Sequence, residues 1–83
     1  MNFKLWLEQH IDDLYPDKGD FVIVKSVLYG THMKKIPPGT YLCIDKNDNV
    51  ELYTLQHTIS KEMHRIYYSD FDTAMEADKV KLD

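Results

Sequence analysis

The sequence predicts a single α+β domain, a small antiparallel sheet with two helices packed on one face. Three observations carry that expectation. Apolar residues recur at helical spacing in two stretches, over residues 3–15 and again over residues 49–68. Around them lie short runs rich in β-branched and aromatic side chains, each bounded by Gly, Pro, Asn or Asp. The chain has 83 residues, which is room for one core and no second. Its 43% hydrophobic and 12% aromatic content suits a chain that folds around an apolar interior. A core this small is thin, so a ligand, a partner or a second copy adds useful stability.

In chain order, Phe3, Leu7, Ile11 and Leu14 form the apolar stripe of the first helix, flanked by Trp6 and His10. Asn2 is placed to cap it and Pro16 to stop it, and Asp17-Lys18-Gly19-Asp20 has the composition of a turn. Phe21-Val22-Ile23-Val24 and Val27-Leu28-Tyr29 follow as strand, and an unbroken apolar run of this length points to burial on both faces. Gly30 ends that run, and Met33 to Ile36 reads as a short further piece. Pro37-Pro38-Gly39 then enforces a turn, because two prolines fix φ and supply no backbone donors. Tyr41-Leu42-Cys43-Ile44 is the next strand, closed by the turn residues Asp45 to Asn49.

Residues 49–68 admit two readings. Val50 to Leu55 would serve as a hairpin partner for residues 41–44, but Leu52, Leu55, Ile59, Met63 and Ile66 keep helical spacing while alternation stops at Leu55. The helix is the preferred reading, with Asp48 or Asn49 at its start and Lys61 and Arg65 towards its C-terminal end, where cations suit the dipole. In the segment Thr73 to Leu82, Val80 and Leu82 alternate with Lys79 and Lys81, the pattern of an edge strand whose lysines discourage unwanted pairing.

Fourteen acidic residues against ten Lys and Arg give a net charge of −4, which repels a phosphate backbone, and the bases form no long cluster. Direct nucleic-acid binding is not expected. No 18-residue apolar run or signal-peptide apolar stretch occurs, so no membrane span is expected. Cys43 stands alone, which suits a reducing, cytoplasmic setting.

The run Ile36-Pro37-Pro38-Gly39-Thr40-Tyr41-Leu42-Cys43-Ile44, followed by a long helix and a strand, resembles the second half of the GyrI-like effector-binding domain of MerR-type multidrug-responsive regulators. The resemblance implies one of two β-α-β-β halves around a pocket for lipophilic, often cationic ligands. It also implies a supporting glutamate from a late strand, a place that Glu76 occupies here.

The aromatic residues Trp6, Tyr29, Tyr41, Tyr53, Tyr67 and Tyr68 are available to line such a pocket. Trp6, Tyr41, Tyr53 and Tyr67 are the expected ligand-binding rings, with Glu76 meeting a cation by charge and the rings by cation–π contact. The competing reading for each ring is plain core packing. His10, His32, His57 and His64 lack the close pair spacing of zinc ligands and read as surface residues, so no metal or other cofactor is expected. Cys43 in an apolar strand reads as a small core residue rather than a nucleophile. The expected function is therefore a non-catalytic small-molecule binding module with a regulatory role, completed by a homodimer or a larger protein partner. The alternative is a small acidic inhibitor or adaptor acting by protein contact, in which Asp70, Asp72, Glu76 and Asp78 would share one exposed face. An enzyme would need Cys43 or Glu76 within hydrogen-bond reach of a histidine.

Overall fold

The computed structural model describes residues 15–83, so the first predicted helix and Trp6 lie outside the described residues. The elements run β1 (Phe21–Val24), β2 (Leu28–Tyr29), β3 (Lys35–Ile36), β4 (Gly39–Asn47), β5 (Leu52–His57), β6 (Met63–Tyr67), α1 (Tyr68–Glu76) and β7 (Val80–Leu82). Five strands form one antiparallel sheet in the order β6-β5-β4-β1-β7, and β2 pairs with β3 in a separate hairpin. The chain thus makes a meander of β4, β5 and β6, then crosses by α1 to lay β7 beside β1.

The second predicted helix is not formed. Residues 52–67 hold β5 and β6, so the described chain is mostly sheet with one α-helix, not a sheet with two helices on one face. The element order on which the effector-domain resemblance leaned is therefore not the order adopted, although its Pro-Pro-Gly turn and following strand are. The helical spacing was formed by residues with unlike fates. Ile59 and Met63 are 85% and 64% exposed at the hairpin tip, whereas the buried set is Tyr53 and Leu55 on β5 and Ile66 on β6. Alternation does continue beyond Leu55, but a histidine, His57, takes the next inward position and His64 takes the one facing Leu55.

The run Phe21–Val24 is buried on one face rather than both: Val22 and Val24 are inside, while Phe21 is 45% exposed. Those valines join Tyr41, Cys43, Tyr53, Leu55, Ile66 and Val80 on the inner face of the sheet. Phe71 and Ala74 of α1 and Leu28 and Ile36 of the small hairpin complete the core. Each large side chain so buried is worth about 1.5–3 kcal/mol, which is how a cluster this small holds the chain. The helix begins where the second predicted helix was to end, at Tyr68, and runs into the segment from Thr73 that reads as the last strand. Phe71, Ala74 and Met75 lie at three-to-four spacing among acids, and they put one narrow apolar stripe on the sheet.

At its C-terminal end α1 closes by a Schellman pattern: the Asp78 N–H donates to Met75 O, and the Lys79 N–H to Ala74 O. Asp78 takes the left-handed conformation usual for glycine there, and its carboxylate meets Lys25 Nζ at 2.7 Å. β7 follows at the sheet edge with Lys81 exposed, as the alternation of lysines predicts.

Between Cys43 and Asp45 the β4–β5 register slips by one residue, a β-bulge. Tyr41, Cys43, Leu55 and His57 share the inner face, and an unbroken strand would have carried that face on to Asp45 and Asn47. The bulge brings Lys46 there instead, opposite Tyr53.

The tip of the β2–β3 hairpin has His32 and Met33 in succession at φ 58°, with the Lys34 N–H donating to Thr31 O at 3.3 Å. This is the pattern of a type I′ turn, which ordinarily takes Asn-Gly. Nearby Gly30 lies against the Arg65 carbonyl of β6, where a Cβ would stand 2.2 Å from the oxygen. The two sites predict opposite outcomes. Met33→Gly relieves a left-handed residue and raises unfolding free energy by about 1 kcal/mol. Gly30→Ala forces the hairpin off β6 and lowers it by roughly 1–3 kcal/mol. Urea unfolding of the two variants beside the parent checks both.

Candidate functional site

A cleft of about 420 Å³ opens where the β4–β5 turn, the β6–α1 junction and Tyr15 meet. Tyr53 is its floor, buried and tilted against Tyr68 at a ring separation of 4.4 Å, with Phe71 behind at 5.1 Å. Each wall is a phenol joined to a carboxylate. Tyr15 donates to Asp72, and Tyr68 donates to Asp48 at 2.7 Å. Glu51 adds a third carboxylate to the lining. Lys46, delivered by the bulge, is the one base there among the described residues, and it reaches Asp17 at 3.3 Å.

The electrostatics follow from these pairings. The bond to Asp72, helped by burial and by the charges of Asp72 and Glu76, pushes the Tyr15 hydroxyl up to about 12. Burial, then the bond to Asp48, pushes Tyr68 up. Burial does the same to Tyr53. The phenols therefore stay neutral hydrogen-bond donors, and the carboxylate oxygens accept from them. Three carboxylates face one partly neutralised ammonium, so the cleft is acidic with aromatic walls. Such a combination is chemically suited to an apolar cation, through charge and through ring faces.

Of the expected ligand-binding residues, the structure brings Tyr53 into this cleft. Glu76 stands at its margin, exposed at the end of α1 rather than on a strand, near enough for its charge to act on Tyr15. Tyr41 does not take part: it is fully buried beneath the Pro-Pro-Gly turn, and its hydroxyl donates to Pro37 O at 2.6 Å. Tyr67 points away, 45% exposed on the outer face in register with Leu52. Tyr15, Lys46, Asp48, Glu51 and Asp72 were missed. Their only sequence signal is position, at turns and at a bulge that no residue pattern announced.

The histidines are not all surface residues. His57 and His64 lie edge-on to the Tyr41 ring, at 5.1 and 5.9 Å. His57 Nδ1 accepts from the Ile59 and Ser60 N–H groups at 3.1 and 3.2 Å, which shapes the β5–β6 turn. Among the described residues no three His, Cys, Asp or Glu side chains converge as a metal ion requires. Cys43 is buried, its thiol donating to Asp45 O at 3.4 Å, and burial pushes it up to about 11. No helix among the described residues is long and apolar enough to cross a membrane. Compared with family models, curated proteins and solved structures, the chain matches none of them.

The titrations predict alkaline sensitivity. Cys43, Tyr15, Tyr41, Tyr53 and Tyr68 all hold their protons more tightly folded than unfolded. Above about pH 9 the unfolded chain loses protons that the folded chain keeps, so unfolding becomes easier. The melting temperature is therefore steady to about pH 9 and falls from there to pH 11–12, as a pH series of thermal melts checks. At pH 8 Cys43 reacts with a disulfide reagent only at the rate of unfolding, and 6 M guanidinium restores ordinary thiol reactivity, an outcome read by absorbance.

Proposed function

We propose that this domain is a non-catalytic binding module for a small organic cation with an apolar body, held in the Tyr15–Tyr53–Tyr68 cleft, with a regulatory role. The observation that carries the reading is the pairing of aromatic walls with carboxylates fixed by phenol hydrogen bonds. A cleft of about 420 Å³ is the size of small-molecule sites, and its donors and acceptors are arranged before any ligand arrives. The residues differ from those first expected, but the chemistry of the ligand is the same.

The acidic-adaptor reading needed Asp70, Asp72, Glu76 and Asp78 on one face. Asp72 and Glu76 both stand near Tyr15, whereas Asp78 pairs with Lys25 and Asp70 borders a different groove beside Lys79. A binding module that regulates also needs a recipient, a second copy or a larger protein. The outer face of the sheet offers a surface for one, with Phe21, Leu42, Gln56 and Met63 in one cross-strand row and Phe21 and Met63 well exposed.

The test is thermal stability and calorimetry with benzyltrimethylammonium, against benzyl alcohol and benzenesulfonate as neutral and anionic counterparts. The cation at a hundred times its Kd adds about 2.7 kcal/mol, a rise of roughly 10 °C or more for a domain of this size. Asp72→Asn and Tyr68→Leu each weaken binding about tenfold, or about 1.4 kcal/mol. An equal response to all three compounds, or none to the cation, removes the reading.

A further inference from the structure

A second groove, on the other side of β6, has the opposite character. It lies between the β2–β3 hairpin and β6, measures about 250 Å³, and is lined by Thr31, His32 and Lys34 from the hairpin and His64 from β6. We propose that it binds a tetrahedral oxyanion, the phosphoryl group of a small metabolite or free phosphate.

Three observations support this. First, His64 Nε2 is buried and has no hydrogen-bond partner; the nearest carboxylate, the exposed Glu62, is 3.8 Å away, beyond hydrogen-bond reach. A ring nitrogen with no partner is a hydrogen-bonding group that the protein leaves unused in a residue lining the groove. Second, among the described residues Lys34 and His32 make no ion pair, in a chain whose net charge is −4. Lys34 and His32 thus bring basic groups to the groove that no carboxylate of the described residues neutralises, while Glu62 stands near His64.

Third, His32 and Met33 both hold left-handed backbone with no glycine. That strain shapes the hairpin tip whose residues line the groove, and strain of this kind concentrates at binding sites. Arg65 adds no charge to the groove. By register its side chain shares the outer face with Thr54 and Asp45, and its carbonyl faces Gly30. The donors that remain are a hydroxyl, an ammonium and imidazoles. They sit on two separate elements, so they suit an anion with acceptors in several directions better than a planar carboxylate, which favours a guanidinium fork.

The site is independent of the acidic cleft and is tested separately, on the full chain. Inorganic phosphate, phenyl phosphate and acetate are titrated at fixed ionic strength while backbone amides and histidine rings are followed by NMR. Phosphate is expected to give saturable shifts confined to residues 31–36 and 62–66, with acetate at least tenfold weaker. Tighter binding of phenyl phosphate than phosphate identifies a phosphorylated small molecule as the source; equal binding identifies the free anion. Lys34→Ala, on an exposed residue that leaves the core intact, weakens phosphate about tenfold, and His64→Phe, which fills the same space without a donor, does likewise. Shifts that do not saturate, shifts spread over Lys25, Lys79 and Lys81, or unchanged affinity in Lys34→Ala would overturn the proposal.

Discussion

β4 is the strand on which the others depend, because it pairs with β1 on one side and β5 on the other, and it does so with one residue too many. The extra residue between Cys43 and Asp45 divides the strand into two halves with different tasks. Before it, alternation sends Tyr41 and Cys43 into the core. After it, the inward position falls to Lys46, whose ammonium could not be buried and so stands where the core opens to solvent beside Tyr53. The core ends and the cleft begins at this one irregularity. An unbroken β4 would set an aspartate, Asp45, against the aromatic floor, and the acidic side chains there would have no counter-charge.

The other end of the inner face is finished by histidines. His57 and His64 occupy inward positions on β5 and β6 and lie edge-on to Tyr41, so the core passes from aliphatic to aromatic to polar along the strands. One of them shapes a turn, since His57 Nδ1 accepts from two backbone amides. The other keeps a ring nitrogen without a partner. Two residues of one type at diagonal inward positions on adjacent strands thus serve a turn in one case and leave a ring nitrogen without a partner in the other.

How far the sequence could be read follows from these details. The strand character of residues 21–36 was legible because β-branched and aromatic runs met clear breakers, Gly30 and Pro37-Pro38-Gly39, but the single run ending at Gly30 is two strands, β1 and β2, in different sheets. β7 was legible from two apolar residues set among lysines. The β5–β6 hairpin was not, since the polar His57 and His64 stand at inward positions while Ile59 and Met63 stand exposed, and together they imitate a helical period. Local pattern lost to pairing: β4 offers an open edge, and residues rich in Val, Tyr, Thr and Ile satisfy it. The helix at Tyr68–Glu76 is hidden by the same false period, because Tyr67 and Tyr68 read as the end of a longer helix. The kind of site was legible from the supply of tyrosines and acids. Its location was not, because it depends on a bulge and on turns that bring Tyr15, Asp48 and Asp72 together from three parts of the chain.

The small hairpin also decides how this domain behaves in company. β6 is an outermost strand of the sheet, and its far edge carries backbone groups that β5 does not use. Unguarded, an edge with Ile66 and Tyr67 in its sequence is a template on which another chain can add a strand and begin an aggregate. The hairpin lies along that edge because Gly30 has no side chain to hold it away from the Arg65 carbonyl. At the opposite border β7 is three residues long and presents a lysine. One border of the sheet is thus guarded by a missing side chain and the other by shortness and charge, and a chain that lost the first would offer a bare strand edge to others of its kind.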